Sequence, residues 1–362
     1  MYIDKKFWKN KRVLVTGHTG FKGGWLSVFL KLLGCKVSGL ALDPVGKNNF
    51  FKCTKIKKIF KNDFRQDICD KKKLKKAMMK IKPEIVFHLA AQSSVIESFK
   101  DPSNTVVTNV IGTASLLDEL KFNKKIKSIV IVTTDKVYQN YKTKKYFDEN
   151  SILGGDDVYS GSKASCEIIT NSFRESFYKN SQCNIATVRA GNCFGGGDWT
   201  QDRIVKDSLE NFYRNKELIL RKPDATRPWQ HVIEPIFGYV LLAQRLSSKK
   251  GKKFAKAWNF GPSSRQNMKV AELVNLFKRE LKSKSKIIIN RNFKKINNKI
   301  HIFESKDLSI NSNKVFKALN WKPKMSVKKA VIITVEWYLA FTKKKDLLAI
   351  TRNQILSYLN KV

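Results

Sequence analysis

Short apolar runs alternate with longer amphipathic segments through the first half of the chain. The runs are rich in β-branched residues and predict buried strands at 12–16, 36–42, 85–90, 128–133 and 184–189. The segments between them repeat apolar residues at helical spacing and predict helices at 24–33, 71–81, 105–120 and 159–178. This alternation is typical of a Rossmann-type α/β fold, a doubly wound parallel sheet with helices on both faces.

The pattern changes after residue 189. Residues 191–198 are rich in glycine and residues 226–235 are polar and aromatic, and helices are predicted at 202–212, 236–246, 270–281, 327–341 and 344–359. We therefore predict a dinucleotide-binding domain at 1–190, to which a segment at about 230–262 returns with one more strand at 257–260. Residues 191–229 and 263–362 are predicted to form a smaller, C-terminal substrate-binding lobe.

Composition adds one unusual feature, a large positive charge. The 362 residues include 71 Lys and Arg against 30 Asp and Glu, a formal net charge of +41. Such a charge suggests nucleic acid or an anionic membrane as partner. However, the lysines are spread in short clusters between apolar runs, arginine is scarce by comparison, and no apolar segment is long enough to cross a membrane. We therefore expect neither partner.

The cysteines indicate neither a disulfide framework nor a metal site. All six are separated by spacings that match no C-x-x-C pair and no zinc template. The N-terminal residues 1–12 are charged and lack the apolar stretch of a signal peptide. A reducing, cytoplasmic location is therefore expected, with no bound metal.

A glycine-rich loop directly follows the first predicted strand. Its spacing is GxxGxxG, with Gly17, Gly20 and Gly23, and it opens the first helix. Glycines there let the backbone approach a pyrophosphate, and the helix N-terminus supplies unpaired N–H groups. The intervening residues expected to touch the same cofactor are Thr19, Phe21 and Lys22.

Two carboxylates and a small-residue turn extend this predicted dinucleotide site. Asp43 ends the second strand, where it can accept hydrogen bonds from a ribose 2′-hydroxyl and repel a 2′-phosphate, so NAD is favoured over NADP. Nearby Lys47 leaves NADP open. Further cofactor contacts are expected from Asp67 and Ile68 at the adenine edge, and from Leu89, Ala90 and Ala91 after the third strand. Thr133, Tyr159 and Lys163 are expected to contact the cofactor as well. Gln92 follows them and can reach a substrate.

Two motifs carry candidate chemistry. Tyr159 and Lys163 are four residues apart, so they share one face of the predicted helix. A nearby cation stabilises a phenolate, and we therefore expect the pKa of Tyr159 to be lowered so that it acts as a base. The second motif is Thr133-Thr134-Asp135-Lys136, at the carboxyl end of a strand, where ligands bind in open parallel sheets. Thr134 can bind a substrate hydroxyl, and Asp135 can act as an acid if its pKa is raised.

With these residues in place, the chain resembles the extended short-chain dehydrogenase/reductase superfamily and, within it, the CDP-glucose 4,6-dehydratase family. The resemblance runs from about residue 11 to residue 338. It is carried by VTGHTGFKGGWLS (15–27), TTDKVY (133–138), LGGDDVYSGSK (153–163), RAGNCFGGGDW (189–199), RPWQHVIEP (227–235) and ALNWKPK (318–324).

The resemblance implies an NAD-dependent reaction in three steps. The Tyr159 phenolate removes the proton of the sugar 4-hydroxyl as a hydride leaves C4, water is lost across C5 and C6, and the hydride returns to C6. The product is CDP-4-keto-6-deoxyglucose. By the same resemblance Asp135 protonates the departing C6 hydroxyl. Lys136 stands where similar dTDP-glucose enzymes carry a glutamate assigned as the C5 base, and whether Lys136 takes that role is open.

The resemblance also implies the substrate contacts. Asn192 resembles a residue near the sugar and diphosphate, Arg227 matches an arginine that clamps the diphosphate, and Arg203 can assist. Asp198, Trp199 and His231 lie in the distinguishing segments and are expected near cytidine or sugar, with local packing as the alternative. The family's GGHDPYS reads GGDDVYS here, and AAQPLVRxSY reads AAQSSVIESF, which can alter sugar contacts.

Two other functions remain as alternatives. The first is another nucleotide-sugar enzyme of the same fold, a 4-epimerase or a different 4,6-dehydratase, although an epimerase has no use for an acid at C6. The second is a catalytically silent RNA-binding protein, which the charge of +41 suggests and the intact Tyr159 and Lys163 pair opposes. A homodimer or higher homo-oligomer, formed through the helices that contain Asn109 and Lys163, is implied by the family.

Overall fold

The computed structural model describes residues 2–139, 146–262, 267–290 and 309–360. The strands are β1 (Arg12–Thr16), β2 (Lys36–Ala41), β3 (Asn62–Arg65), β4 (Ile85–His88), β5 (Ser128–Val132), β6 (Asn184–Arg189), β7 (Cys193–Phe194), β8 (Leu218–Leu220), β9 (Thr226–Pro228), β10 (Gln230–His231), β11 (Ala257–Asn259), β12 (Asn267–Lys269) and β13 (Ile287–Ile289). The α-helices are α1 (Lys5–Trp8), α2 (Phe21–Leu32), α3 (Phe50–Cys53), α4 (Lys71–Ile81), α5 (Val95–Lys100), α6 (Pro102–Val106), α7 (Gly112–Leu120), α8 (Val158–Phe173), α9 (Ile204–Tyr213), α10 (Ile233–Leu246), α11 (Val270–Glu280), α12 (Asn313–Leu319), α13 (Val327–Thr342) and α14 (Leu347–Leu359).

The core of the molecule is a seven-stranded sheet in the order β11-β6-β5-β4-β1-β2-β3. Every neighbouring pair in it is parallel. Every residue of β4 and β5 is buried, because helices cover both faces of the sheet. The predicted Rossmann-type fold is therefore confirmed.

Two apolar clusters fill the two faces of this sheet. On one face α2 and α10 pack against each other, and α10 also lies on β5 and β6. On the other face α4 and α8 pack on either side of α7. The strand predicted at 257–260 is β11, and it joins this sheet beside β6. The domain boundaries at residues 190, 230 and 262 stay a prediction.

A third apolar cluster lies beyond β6, where α11 packs against α9 and α13. Three short strand pairs accompany it: β7 with β10, β9 with β12, and β8 with β13. The first pair joins the glycine-rich segment after β6 to the polar and aromatic segment near residue 230, two regions about 35 residues apart that the sequence pattern left separate. None of the helices in the described ranges is long and apolar enough to cross a membrane.

Helix boundaries differ from the prediction where capping decides them. Helix α2 begins at Phe21, three residues before the predicted start, because Gly20 takes the extended backbone of an N-cap. Helix α14 begins at Leu347 because the Asp346 side chain accepts hydrogen bonds from the backbone N–H groups of Leu348 and Ala349. The helix predicted at 105–120 is α6 and α7 joined by a π-helical segment at Val107–Ile111. Much of the basic, weakly patterned stretch at 282–313 lies outside the described residues.

The last part of the chain is attached to the sheet layer through a buried carboxyl on α10. Glu234 accepts hydrogen bonds from the Tyr358 hydroxyl (2.5 Å) and from the backbone N–H groups of Lys324 (2.8 Å) and Met325 (2.6 Å). Burial raises its pKa to about 7, although these three hydrogen bonds act in the opposite direction. Glu234 thus joins α10, the turn before α13, and α14.

We expect this carboxyl to give the stability of the chain a pH dependence that Glu234→Gln removes. The folded state holds the proton more tightly than the unfolded state, whose Glu pKa is near 4.5, so the stabilisation is complete below pH 4.5 and is lost as the pH rises through 7. The difference in unfolding free energy between the native protein and the variant should therefore change by about 3 kcal/mol over that interval. Urea unfolding between pH 4.5 and 8 measures it, with Glu217→Gln, at an exposed position, as control, and a pH-independent difference contradicts the assignment.

Candidate active site

The candidate residues gather at one edge of the sheet. Strands β1, β4, β5 and β6 are parallel neighbours, so the loops that follow them meet at their shared carboxyl end. Those loops are 17–20, 89–94, 133–138 and 190–192. They carry the glycine motif, the small-residue turn, the Thr-Thr-Asp-Lys motif and the asparagine of the second lobe.

The glycine loop is shaped for a close approach. Gly17 has a φ of +71°, and a Cβ there would lie 2.7 Å from Ala90 N, so both its conformation and the space exclude a side chain. A Cβ on Gly23 would lie 2.2 Å from Gly17 O. Gly20 caps α2 without a side-chain hydrogen bond, and the first turn of α2 contains no acidic residue. The helix N-terminus can therefore direct its N–H groups at a phosphate, which is a cradle that fits a dinucleotide pyrophosphate.

The other predicted cofactor residues lie around this loop. Thr19 donates a hydrogen bond to Leu42 O (3.1 Å), and Asp43 is exposed just beyond β2. Asp67 is exposed and accepts a hydrogen bond from Cys69 N (2.8 Å), whereas the adjacent Ile68 is buried in the core against Gly112. The described contacts of Ile68 are thus apolar packing. Leu89, Ala90 and Ala91 are half-buried beneath the loop.

Polar side chains of the catalytic motif form a connected row. The Thr134 hydroxyl donates to Asp135 Oδ1 (3.1 Å), and the Tyr159 phenol lies near both residues, since each of them influences its pKa. Asn192 Nδ2 donates to Asp135 Oδ2 (3.2 Å). Lys163, on the same helix as Tyr159, donates to Val132 O (3.0 Å) and is buried. The structure therefore joins residues from two loops and α8 in one buried site.

The Tyr159 pKa is a correction to the sequence prediction. Burial raises the pKa of Tyr159 to about 12, and Arg203 and Thr134 oppose this shift. The prediction that Lys163 lowers the pKa of Tyr159 is wrong for the protein without bound cofactor or substrate, because desolvation of the phenol has the larger effect. Burial also lowers the pKa of Lys163, assisted by the charge of Lys22.

Asp135 has the environment of a proton donor. Burial raises its pKa, and Lys136, Thr134, Arg227 and Lys22 act in the opposite direction. These cations approach from the motif itself, from β9 and from the first turn of α2. Lys136 is half-buried, and its backbone N–H donates to Thr134 Oγ1 (3.4 Å). Desolvation thus favours the protonated form of Asp135, against the influence of the basic side chains around it.

The position of Asp135 depends on its neighbour Gly191. A Cβ on Gly191 would lie 1.5 Å from Asp135 Oδ2, so the carboxyl occupies the space that a side chain would need. Asn192 follows with a φ of +47°, a left-handed conformation that asparagine tolerates. The glycine and the asparagine together turn the chain so that the Asn192 amide faces Asp135.

Several predicted substrate residues make local contacts in the structure. The Gln92 amide is hydrogen-bonded with the Ser94 backbone and with Thr105 Oγ1 (2.8 Å). Asp198 accepts hydrogen bonds from Thr200, and the Trp199 ring packs 4.7 Å from the Phe341 ring. These contacts correspond to the packing alternative, and a substrate contact by any of the three stays a prediction.

The remaining substrate candidates differ in their surroundings. His231 is buried, its ring stands edge-on to Trp25 at 5.4 Å, and burial lowers its pKa to about 3. Arg227 is buried on β9 and donates to Thr226 O (2.9 Å). Arg203 is exposed at the N-cap of α9 and acts electrostatically on Tyr159. Of these, Arg203 and Arg227 lie within electrostatic reach of the catalytic row.

Sequence reasoning missed a buried ion pair beneath these residues, formed by Glu167 and Arg189. One signal in the sequence could have pointed to Glu167. It follows Lys163 by four residues, just as Lys163 follows Tyr159, so all three share one face of the helix. Within the described ranges no three His, Cys, Asp or Glu side chains come together as a group that could hold a metal ion.

A Rossmann-type sheet, a glycine cradle at its carboxyl edge and a Tyr-x-x-x-Lys helix define a nucleotide-dependent enzyme of the extended short-chain dehydrogenase/reductase type. The model of one protein family, described as GDP-mannose 4,6 dehydratase, matches residues 14–334. The chain belongs to this family.

Individual relatives agree with this assignment. CDP-glucose 4,6-dehydratase of Salmonella typhimurium is 38% identical over 99% of both chains, which confirms the resemblance seen in the motifs. dTDP-D-glucose 4,6-dehydratase of Homo sapiens is 25% identical over 91% of this chain and 90% of its own. A structure of dTDP-glucose 4,6-dehydratase from Bacillus anthracis in complex with NAD has a TM-score of 0.75 at 22% identity, covering 93% of this chain and 99% of its own, and supports the same fold.

We expect Gly17→Ala to weaken dinucleotide binding at least about tenfold, since 1.4 kcal/mol of lost binding energy corresponds to that factor. The added methyl collides with the backbone of Leu89 and Ala90. Gly34→Ala is the matched control, because Gly34 has a similar φ of +84° but its nearest neighbour is 3.6 Å away. Titration calorimetry with NAD measures both variants. Equal affinities for the two would show that the close approach at Gly17 does not matter for binding.

Proposed function

We propose that this chain is a CDP-glucose 4,6-dehydratase that uses NAD and forms CDP-4-keto-6-deoxyglucose. The observation that carries the proposal is the cluster of Tyr159, Thr134 and Asp135, in which Thr134 donates to Asp135 and a buried acid stands near the phenol of an oxidoreductase site. An epimerase needs the phenol alone, whereas the loss of water needs a second proton donor. The relative at 38% identity, itself named CDP-glucose 4,6-dehydratase, supports the choice of nucleotide.

The residues of the glycine cradle and its surroundings fit the dinucleotide. Gly17, Gly20 and Gly23 leave room for the pyrophosphate, and Asp43 would accept from the adenosine ribose. When bound, the oxidised nicotinamide accepts the hydride from C4, returns it to C6, and brings a positive charge that stabilises a phenolate. Lys163 would hold the ribose next to the nicotinamide, since its ammonium has donors beyond the one directed at Val132 O.

Oxidation at C4 would use the Tyr159 oxygen as proton acceptor. Thr134 orients the 4-hydroxyl between itself and the phenol, and Arg203 opposes the desolvation that otherwise disfavours the phenolate. Arg227, Arg203 and Asn192 are assigned to the diphosphate and sugar of the substrate. Cytidine contacts are assigned to Asp198, Trp199 and His231 on sequence grounds.

Elimination would use Asp135 as the acid. Its proton is donated to the C6 hydroxyl, which leaves as water, while the C5 proton passes to a base for which Lys136 is the nearest candidate in the motif. Return of a proton to C5 accompanies the return of the hydride to C6. Burial raises the pKa of Asp135, which favours the protonated form that this step requires.

The experiment that tests this function is incubation of the NAD-loaded protein with CDP-, dTDP- and UDP-glucose and with GDP-mannose. CDP-glucose should give a 4-keto-6-deoxy sugar without net reduced cofactor, and deuterium at C4 should appear at C6. Tyr159→Phe should abolish product, whereas Tyr178→Phe should not, because it removes a buried hydroxyl bonded to Leu117 O at the end of the π-helical segment that follows α8. A 4-keto-6-deoxy product only from a different nucleotide sugar would overturn the proposed substrate.

Asp135→Asn should separate oxidation from elimination. The amide cannot deliver a proton to the leaving hydroxyl, so product formation should fall about 10²- to 10⁴-fold, the usual contribution of a general acid. Oxidation at C4 should continue, and absorbance at 340 nm should show reduced cofactor accumulating on the protein.

Asp207→Asn is the matched control, because Asp207 is another carboxyl whose pKa is raised by burial but lies on α9, outside the catalytic motif. Full turnover by Asp135→Asn would refute the acid role.

We also propose that the chain is a homodimer and that it acts in the cytoplasm. Val106, Val107 and Ile111 on the helix at 102–120 and Ile168 on α8 are exposed apolar side chains, on the helices expected to pair. A second copy of the chain would cover them. Sedimentation at micromolar concentration tests this, and a monomer there would refute the dimer.

A further inference from the structure

The ion pair of Glu167 and Arg189 lies beneath the catalytic row and is almost completely buried. Both side chains are 3% exposed. Arg189 Nε donates to Glu167 Oε1 and Arg189 Nη2 donates to Glu167 Oε2, each at 2.9 Å, which is a bidentate arrangement. Neither group is assigned a part in the chemistry proposed above, and a buried pair of this kind is costly to desolvate.

The carboxylate of Glu167 also receives two threonine hydroxyls. Thr133 Oγ1 donates to Glu167 Oε1 at 2.6 Å, and Thr187 Oγ1 donates to Glu167 Oε2 at 2.5 Å. Burial alone would raise the pKa of Glu167, but the bonds from Arg189 and the two threonines outweigh it and hold the pKa below its usual value. Glu167 is therefore an ionised, fully occupied acceptor.

The guanidinium continues the network to the other end of the catalytic motif. Arg189 Nη1 donates to the Tyr138 hydroxyl at 2.9 Å, and that hydroxyl donates to Asn259 Oδ1 at 2.6 Å. Thr133 is the first residue of the loop at 133–138 and Tyr138 is its last. The segment between them contains Thr134, Asp135 and Lys136, so one ion pair holds both ends of the loop that carries the acid.

The same pair is attached to the helix that carries the base. Tyr159, Lys163 and Glu167 follow one another at intervals of four residues on α8 and form a single stripe toward the sheet. Because these three residues lie on one rigid helix, a displacement of Glu167 also displaces Tyr159 and Lys163. A second link joins the same helix to the start of the loop, where Lys163 Nζ donates to Val132 O at 3.0 Å.

We propose that Glu167 and Arg189 are positioning residues, which fix the catalytic loop at 133–138 in register with the catalytic stripe on α8. This inference rests on the proposed function, because only a reaction that uses Tyr159 and Asp135 on one sugar requires the two sets to be aligned. Displacement of reacting groups by about 1 Å can cost about a hundredfold in rate. We therefore expect loss of the network between the loop at 133–138 and the stripe on α8 to affect kcat more than it affects the stability of the fold.

Removal of either charged group can prevent folding, so the test uses two threonines that reach the same carboxylate from different elements, of which Thr133 also donates to Val188 O (3.2 Å). Thr133→Val and Thr187→Val each remove one buried hydroxyl of similar exposure from the Glu167 carboxylate. Thr133 belongs to the catalytic loop, whereas Thr187 lies within strand β6. If the pair positions the loop, Thr133→Val should lower kcat for CDP-glucose at least about tenfold with KM changed less than about twofold, and Thr187→Val should leave kcat within about twofold.

A purely structural pair gives a different result. In that case kcat would fall by the same factor in Thr133→Val and Thr187→Val, in proportion to an equal loss of thermal stability. The proposal would then be wrong. Tyr138→Phe removes the attachment at the other end of the loop and should lower kcat as Thr133→Val does. In the double variant Thr133→Val/Tyr138→Phe the two losses should be less than additive, because both release the same loop.

Hydrogen–deuterium exchange of the NAD-loaded protein provides a readout that does not depend on the substrate. Backbone amides at 133–139 should exchange faster in Thr133→Val and Tyr138→Phe than in the native protein. In Thr187→Val their exchange rates should be the same as in the native protein. Failure of the proposed function would appear as absence of product from the native protein. Failure of the positioning role would appear as equal exchange of this loop in the Thr133 and Thr187 variants, whatever the substrate is.

Discussion

Exclusion of water from the carboxyl edge of the sheet is the constraint on which the site depends. Asp135, Tyr159 and Lys163 are all buried there, and desolvation is the largest influence on the pKa of each. It favours the neutral form of all three groups. In an exposed Asp-Tyr-Lys set this influence would be absent, and the protonated carboxyl would lose the advantage that burial gives it.

The fold produces this burial in a simple way. Four parallel strands end together, so their loops converge, and the lobe formed by α9, α11 and α13 lies beyond the last of them. The pairing of β7 with β10 connects the loop after β6 to the segment that leads into α10. Desolvation at the edge is therefore a consequence of topology and of the short strand pairs, and the ion pair beneath the site keeps the two catalytic sets in place inside it.

The alternation of apolar runs was sufficient to predict the parallel sheet, because buried parallel strands are almost continuously apolar. The glycine spacing after the first strand and the Tyr-x-x-x-Lys spacing predicted where chemistry would gather. The pKa direction of Tyr159 was not predictable, since it depends on how completely the phenol is buried and on which atom Lys163 faces. The pairing of Arg189 with Glu167 was equally hidden, because the partners lie on different elements. The strand pairs of two and three residues lack a periodic pattern long enough to read.

The contact between Gly191 and Asp135 shows how narrow the route to dehydration chemistry is. The acid sits where any side chain at residue 191 would have to go, with a Cβ only 1.5 Å from its oxygen. Even a methyl group at residue 191 would displace the Asp135 carboxyl, the proposed proton donor. The residues that serve the hydride transfer would be unaffected. The difference between a site that can remove water and one that can only interconvert sugar stereochemistry thus depends on a residue that has no side chain of its own and lies in direct contact with the proposed acid.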